Sequence, residues 1–125
     1  MSLPLMLLLA AAPVPQTWSF QTDGTPEIRI SNIEGEILID GIDGNKVLFQ
    51  VVQEGGEEAR RQSPVEVVQE GDVVKARVCC GPCAEKRRSC GDVAVTRFRV
   101  QVPRKAELNL SSVEAEVKVA GVEGE

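Results

Sequence analysis

The fold is decided by Ile28 to Gly44, IRISNIEGEILIDGIDG, because the chain uses this stretch twice. Leu108 to Gly124, LNLSSVEAEVKVAGVEG, aligns to it without a gap. Ser31, Glu34, Glu36, Gly41 and Gly44 meet identical residues at 111, 114, 116, 121 and 124. The apolar positions 28, 30, 33, 37, 39 and 42 all meet Leu or Val. One supersecondary unit is therefore repeated. Its pattern reads as a strand, a polar turn at Ser31-Asn32 or Ser111-Ser112, a second strand and a Gly-x-x-Gly turn. Gly35, Gly41, Gly44, Gly121 and Gly124 are the candidate turn and corner residues, where close approach or a positive φ excludes a side chain. Neither copy has enough apolar surface to bury its face alone, so stacking is expected.

Outward from the repeat, apolar and polar residues alternate with period two in KVLFQVV, VEVV, DVVKARV and DVAVTRFRVQV. Alternation bounded by Gly, Asp, Asn and Pro is the signature of strands. The expected architecture is all-β: a repeat-built β-solenoid or sandwich-like stack with a long central hairpin over Asp72 to Val102. EEARRQ, Glu57 to Gln62, is the one helix-permissive piece, and at six residues it reads as one turn in a loop. Trp18 and Phe20 are expected to plug the first end of the stack. At the other end, the second copy runs to Glu125 and leaves an edge for a partner, a second copy or further sequence to cover.

The length of 125 residues and an apolar content of 42% fit one domain with a real core, here residues 17–125. Only four aromatics and no Tyr are present, so Val, Ile and Leu must build that core. A net charge of −5 argues against a nucleic-acid partner. His is absent, which removes Ser/His/Asp and Cys/His catalysis and His-ligated zinc. Leu3 to Ala12, LPLMLLLAAA, is an apolar run of signal-peptide length, and residues 1–16 are read as a signal peptide. The n-region carries no Lys or Arg, and Pro13 follows the small-residue site Ala10-x-Ala12. No later run is long enough to span a membrane. The expectation is an exported protein, periplasmic, at the cell surface or secreted.

All four cysteines lie in Val78 to Cys90, VCCGPCAEKRRSC. Cys80-Gly81-Pro82-Cys83 matches the active-site tetrapeptide of thioredoxin-like oxidoreductases, whose first sulfur needs a helix N-terminus. AEKRRS, Ala84 to Ser89, allows at most about one and a half helical turns. Lys86, Arg87 and Arg88 would still favour a thiolate. An all-thiolate zinc site is a second reading, poorly spaced for two separate knuckles. In an exported chain an even cysteine count reads first as structural disulfides among Cys79, Cys80, Cys83 and Cys90. Two pairings stay open: 79–90 with 80–83, or 80–90 with 79–83.

Weaker constellations are DGIDGN, Asp40 to Asn45, read as turn chemistry rather than a Ca²⁺ loop, and Glu34, Glu36, Glu114 and Glu116, read as a solvated acidic face. KRR, at 86–88, reads as a loop-tip charge run that could meet an anionic surface. No metal, cofactor or catalytic residue is assigned.

The blocks IRISNIEGEILIDGIDGNKVLFQVV, GDVVKARV and FRVQVPRKAELNLSSVEAEVKVAGVEGE resemble the bacterial putative-adhesin family of unknown function. The likeness covers residues 27–125 and is most specific at Asn32 to Ile37, Gly41 to Gly44, and Val102-Pro103-Arg104 leading into the second copy. It implies a β-solenoid-like cell-envelope protein of the adhesin type, without known catalytic residues. Ala115 departs from the pattern, standing where the first copy has Gly35. The functional expectation is a non-enzymatic binding or structural module with an unknown protein or envelope partner, self-association through the exposed edge being one candidate. The alternative is a secreted thiol-disulfide protein using Cys80 and Cys83.

Overall fold

The computed structural model describes residues 15–23, 25–83 and 93–123. Among these residues seven strands and one short helix follow in order: β1 (Gln16–Gln21), β2 (Glu27–Ile42), β3 (Lys46–Glu54), α1 (Glu57–Gln62), β4 (Val65–Glu70), β5 (Val73–Val78), β6 (Val95–Pro103) and β7 (Glu107–Ala120). Alternating burial along β2, β3, β5 and β6 puts one set of side chains inside and the other in solvent.

β2 is the organising strand. Its first half pairs in parallel with β5 and its second half with β6, while β7 runs parallel to it from Glu27 to Asp40. Residues of β2 thus pair twice, which places β7 on one edge and β5 with β6 on the other. β3 continues from β6 and β4 from β5, both antiparallel, and β1 closes the first of these faces by pairing with β3. The path β1-β3-β6-β2-β5-β4 turns over on itself at the middle of β2, so the mixed sheet is nearly closed into a barrel. Inside lie Ile28, Ile30, Val74 and Ala76 from one face and Ile37, Ile39, Phe49, Phe98 and Val100 from the other, each at most 2% exposed.

The turn in β2 occurs at Asn32 to Gly35 and uses no break in the strand. Gly35 has φ +134°, and a Cβ there would overlap the Thr96 carbonyl of β6. Gly41 and Gly121 come together just past the last β2–β7 register pair, where a Cβ on Gly41 would overlap the Gly121 carbonyl. Gly44 has φ +115° in the open turn after β2; Gly124 lies outside the described residues.

Several expectations are corrected. The fold is mostly β, with a true α-helix at Glu57–Gln62. Acidic residues in its first turn, basic ones in its last, and a Ser63 Oγ bond to the Ala59 carbonyl (2.6 Å) stabilise that short segment. It is not a solenoid: the spatial order of the strands departs from chain order, and β3, β4 and β1 run antiparallel to their neighbours. Nor is there a central hairpin over Asp72 to Val102. β5 and β6 do not pair with each other but lie end to end along β2, so that Val74 sits beside Ile28 and Phe98 beside Ile37 on the inner side. Trp18 and Phe20 pack against the core at the β1 end, Phe20 meeting Phe49 edge to face with ring centroids 6.4 Å apart.

Gly35 and Gly44 make a paired test, since both have positive φ and only Gly35 lacks room. Gly35→Ala should lower unfolding stability by about 3 kcal/mol or prevent folding. Gly44→Ala should cost about 1 kcal/mol, both read from urea unfolding curves. Equal losses would contradict the close approach of β2 and β6.

Candidate functional site

Two features are set up by this frame: the corner at which the sheet turns, and the free edge of β7. At the corner, Asn32, Ser63 and Thr96 are buried, and each is satisfied by hydrogen bonds. The Asn32 amide donates to the carbonyls of Thr96 (2.9 Å) and Glu36 (3.3 Å), and its oxygen accepts from the Ile33 N–H (2.8 Å). Gln53 donates to the Ser63 carbonyl (2.6 Å) and Thr96 Oγ1 (3.1 Å), and Ser63 Oγ accepts from the Ala94 N–H (3.0 Å). These bonds join β2, β6, β3 and the end of α1, where the bend interrupts regular ladder bonding. The sequence signal was available: Asn32 follows Ile28 and Ile30 in the inward alternation, and Thr96 precedes Phe98 and Val100. A polar residue at an inward position marks a corner that needs side-chain hydrogen bonds.

Cys79, Cys80 and Cys83 lie at this corner. Ser31 pairs with Arg77 and Gly35 with Thr96, so β5 ends and β6 begins on either side of Asn32 to Glu34. Cys79 is buried and joined by a disulfide to Cys83, with Cα atoms 5.2 Å apart. Cys80 is disulfide-bonded as well; Cys90 and the Lys86-Arg87-Arg88 run lie outside the described residues. Of the two open pairings, the structure contains 79–83, and Cys80 does not share a disulfide with Cys83. Backbone bonds from Cys79 to the Pro64 carbonyl (2.8 Å) and from Gly81 to the Gln62 carbonyl (2.6 Å) fix the loop against the end of α1. Arg77 donates to the Cys83 carbonyl (2.8 Å) and pairs with Glu66 (2.9 Å).

Several charges on the outer surfaces are paired. A shallow recess of about 460 Å³ over β4, β5, β2 and β7 contains Arg29, Lys75 and Arg77. Each meets a carboxylate: Arg29 that of Glu27, Lys75 that of Glu70 (3.6 Å) and Arg77 that of Glu66. The Arg29 hydrogen bond holds the Glu27 carboxyl below its usual range. Asp43, of the DGIDGN stretch, is taken by Arg104 (2.9 Å), and their hydrogen bond raises the guanidinium pKa. Asp40 pairs with Ala120 on β7. Asp23 and Asp72 share a hydrogen bond that lowers the first carboxyl and raises the second. No cluster of three or more metal-ligating side chains occurs among the described residues, and no helix among them is long and apolar enough to cross a membrane.

β7 is the less protected feature. Register places every residue of β7 except Val113 beside its repeat equivalent on β2, Leu108 on Ile28, Leu110 on Ile30, Val117 on Ile37 and Val119 on Ile39. The two sequence copies are therefore adjacent strands in register. The β2 members are at most 2% exposed, whereas Val117 is 40% and Val119 46% exposed. Among the described residues, β7 pairs with β2 alone. Glu114 and Glu116 lie beside Glu34 and Glu36.

A solved structure with this arrangement is known. A putative cell adhesion protein from Clostridium sporogenes ATCC 15579 superposes with a TM-score of 0.51 at 12% identity, over 86% of this chain and 51% of that one. The likeness is one of fold, and the chain spans about half the length of that protein. No protein-family model and no curated protein sequence matches the chain.

Thiol counting tests the corner. In a Cys80→Ser/Cys90→Ser variant the 79–83 disulfide should persist, and alkylation of the denatured, unreduced protein should label no cysteine. Two labelled thiols would indicate that the native pairs are 80–83 and 79–90. Removing Cys79 and Cys83 instead should cost about 2 kcal/mol, the chain-entropy value for so short a loop.

Proposed function

We propose that the chain is an exported, adhesin-like module of the cell envelope that binds or scaffolds through its sheet faces and edges and performs no catalysis. The observation that carries this reading is the long, half-covered β7 edge on a fold similar to that of a putative cell adhesion protein. An oxidised cysteine corner suits an extracytoplasmic compartment, where disulfides persist. The exposed β7 edge offers apolar contacts and backbone hydrogen bonding as the means of recognition. The rival thiol-disulfide reading loses support because Cys83 is bonded to Cys79, so the tetrapeptide does not form the dithiol pair its chemistry requires.

The tagged protein, expressed in its source organism, should fractionate with the periplasm, the cell surface or the medium, with its thiols oxidised. Deleting its gene should reduce attachment of the cells to surfaces or to one another. Cytosolic, reduced protein would defeat the envelope reading. Insulin-reducing turnover that disappears in Cys80→Ser/Cys83→Ser would replace it with the redox one.

A further inference from the structure

We propose that β7 pairs antiparallel with β7 of a second copy, about a two-fold axis through the bend, joining the two barrels into one continuous core. The inference is independent of whether adhesion is the chain's role. The free edges of the sheet differ. β1 and β4 are six residues each, and Trp18 and Phe20 of β1 pack against the core, whereas β7 has fourteen residues, contains no Pro and leaves Val117 and Val119 nearly half exposed. Lys118 is its one basic residue, so the usual protection of an edge strand by Lys, Pro or short length is thin.

What selects a second copy is the spacing of the inward residues. Leu108 and Leu110 lie before the bend and Val117 and Val119 after it, the same distance from a centre between Val113 and Glu114. Reversing the strand about that centre superposes the set on itself. Leu108 then falls opposite Val119 of the partner subunit and Leu110 opposite Val117 of the partner subunit, all four facing inward. Because the bend also lies at the centre, both halves of the second strand follow the turn of the first. An isologous interface of this kind closes after two copies.

Charge is compatible with the same register. Glu114 falls opposite Val113 of the partner subunit, and Glu116 opposite Ser111 of the partner subunit, so no carboxylates are directly paired, with Glu114 and Glu114 of the partner subunit flanking the axis. Glu107 lies diagonal to Lys118 of the partner subunit, an attractive cross-strand relation. A parallel, in-register β7 pair would instead set Glu114 against Glu114 and Glu116 against Glu116.

Sedimentation equilibrium of the full chain should give twice the 13.5 kDa chain mass, with dissociation on dilution. Val117→Lys should raise the dimer dissociation constant about tenfold or more, its circular dichroism remaining that of the folded protein. The register is read separately by mixing Asn109→Cys protein with Lys118→Cys protein under mild oxidation. Antiparallel pairing predicts a cross-link between the two variants and none within either alone. A monomer at all concentrations, a Val117→Lys protein that dimerises as tightly as the parent, or cross-linking of Asn109→Cys to itself would each overturn the proposal.

Discussion

The structure depends on one bent strand. β2 runs sixteen residues without a break, and its two halves belong to opposite faces of the core. At the bend the ladder cannot supply all its hydrogen bonds, and the Asn32 amide replaces them by reaching the Thr96 and Glu36 carbonyls. Gly35 lets β6 come close enough to receive that contact. If either were lost, Ile28 and Ile30 would no longer be held over Ile37 and Ile39, and the two faces would have nothing to close against. A buried amide in such a position is costly when unpaired, which is why its complete satisfaction specifies this turn over others.

Each level of the sheet crosses the same corner by a different local solution. β2 turns within a continuous strand, β7 does so with Ser112 donating to the Ala115 carbonyl (3.4 Å), and the third level carries the Cys79–Cys83 disulfide where it leaves β5. The β3–β4 level inserts α1 and ends it on Ser63. The disulfide and the helix are thus alternative ways of filling one place in the fold. This gives the cysteine stretch a structural role, close packing against Gln62 and Pro64, that the tetrapeptide within it does not suggest.

The repeat and the inward alternation were readable from residues alone, since copies with the same spacing of apolar residues meet in register as β2 and β7. The identity of strand partners was not. Period-two alternation specifies which side of a strand faces the core and is silent about its edges. VVKARV and VTRFRVQV have the same pattern whether they form a hairpin or lie end to end along β2, so the central hairpin was the simpler and incorrect choice. The corner residues were half legible: Asn32 was visible as a polar turn residue, but its place inside follows only when the strand is seen to continue through it. The helix was underestimated because six residues are marginal in isolation and are held here by tertiary contacts around Ser63.

Stacking a repeat on itself has an electrostatic consequence. In-register pairing sets Glu114 beside Glu34 and Glu116 beside Glu36, and like charges on neighbouring strands are unfavourable. Part of this is relieved locally: Arg97 lies 3.9 Å from Glu36 and 3.1 Å from Glu54, and Lys118 lies 3.4 Å from Glu116. All of these groups are substantially exposed, so solvent screens both the repulsion and its relief. The inward residues face no such conflict, and every added level brings more apolar cover to its neighbour. Growth by like-on-like stacking is therefore favoured on the inside and resisted on the outside. The balance leaves the spacing of β7's inward apolar residues to select the strand that lies against it, its screened acidic positions adding only a preference of register.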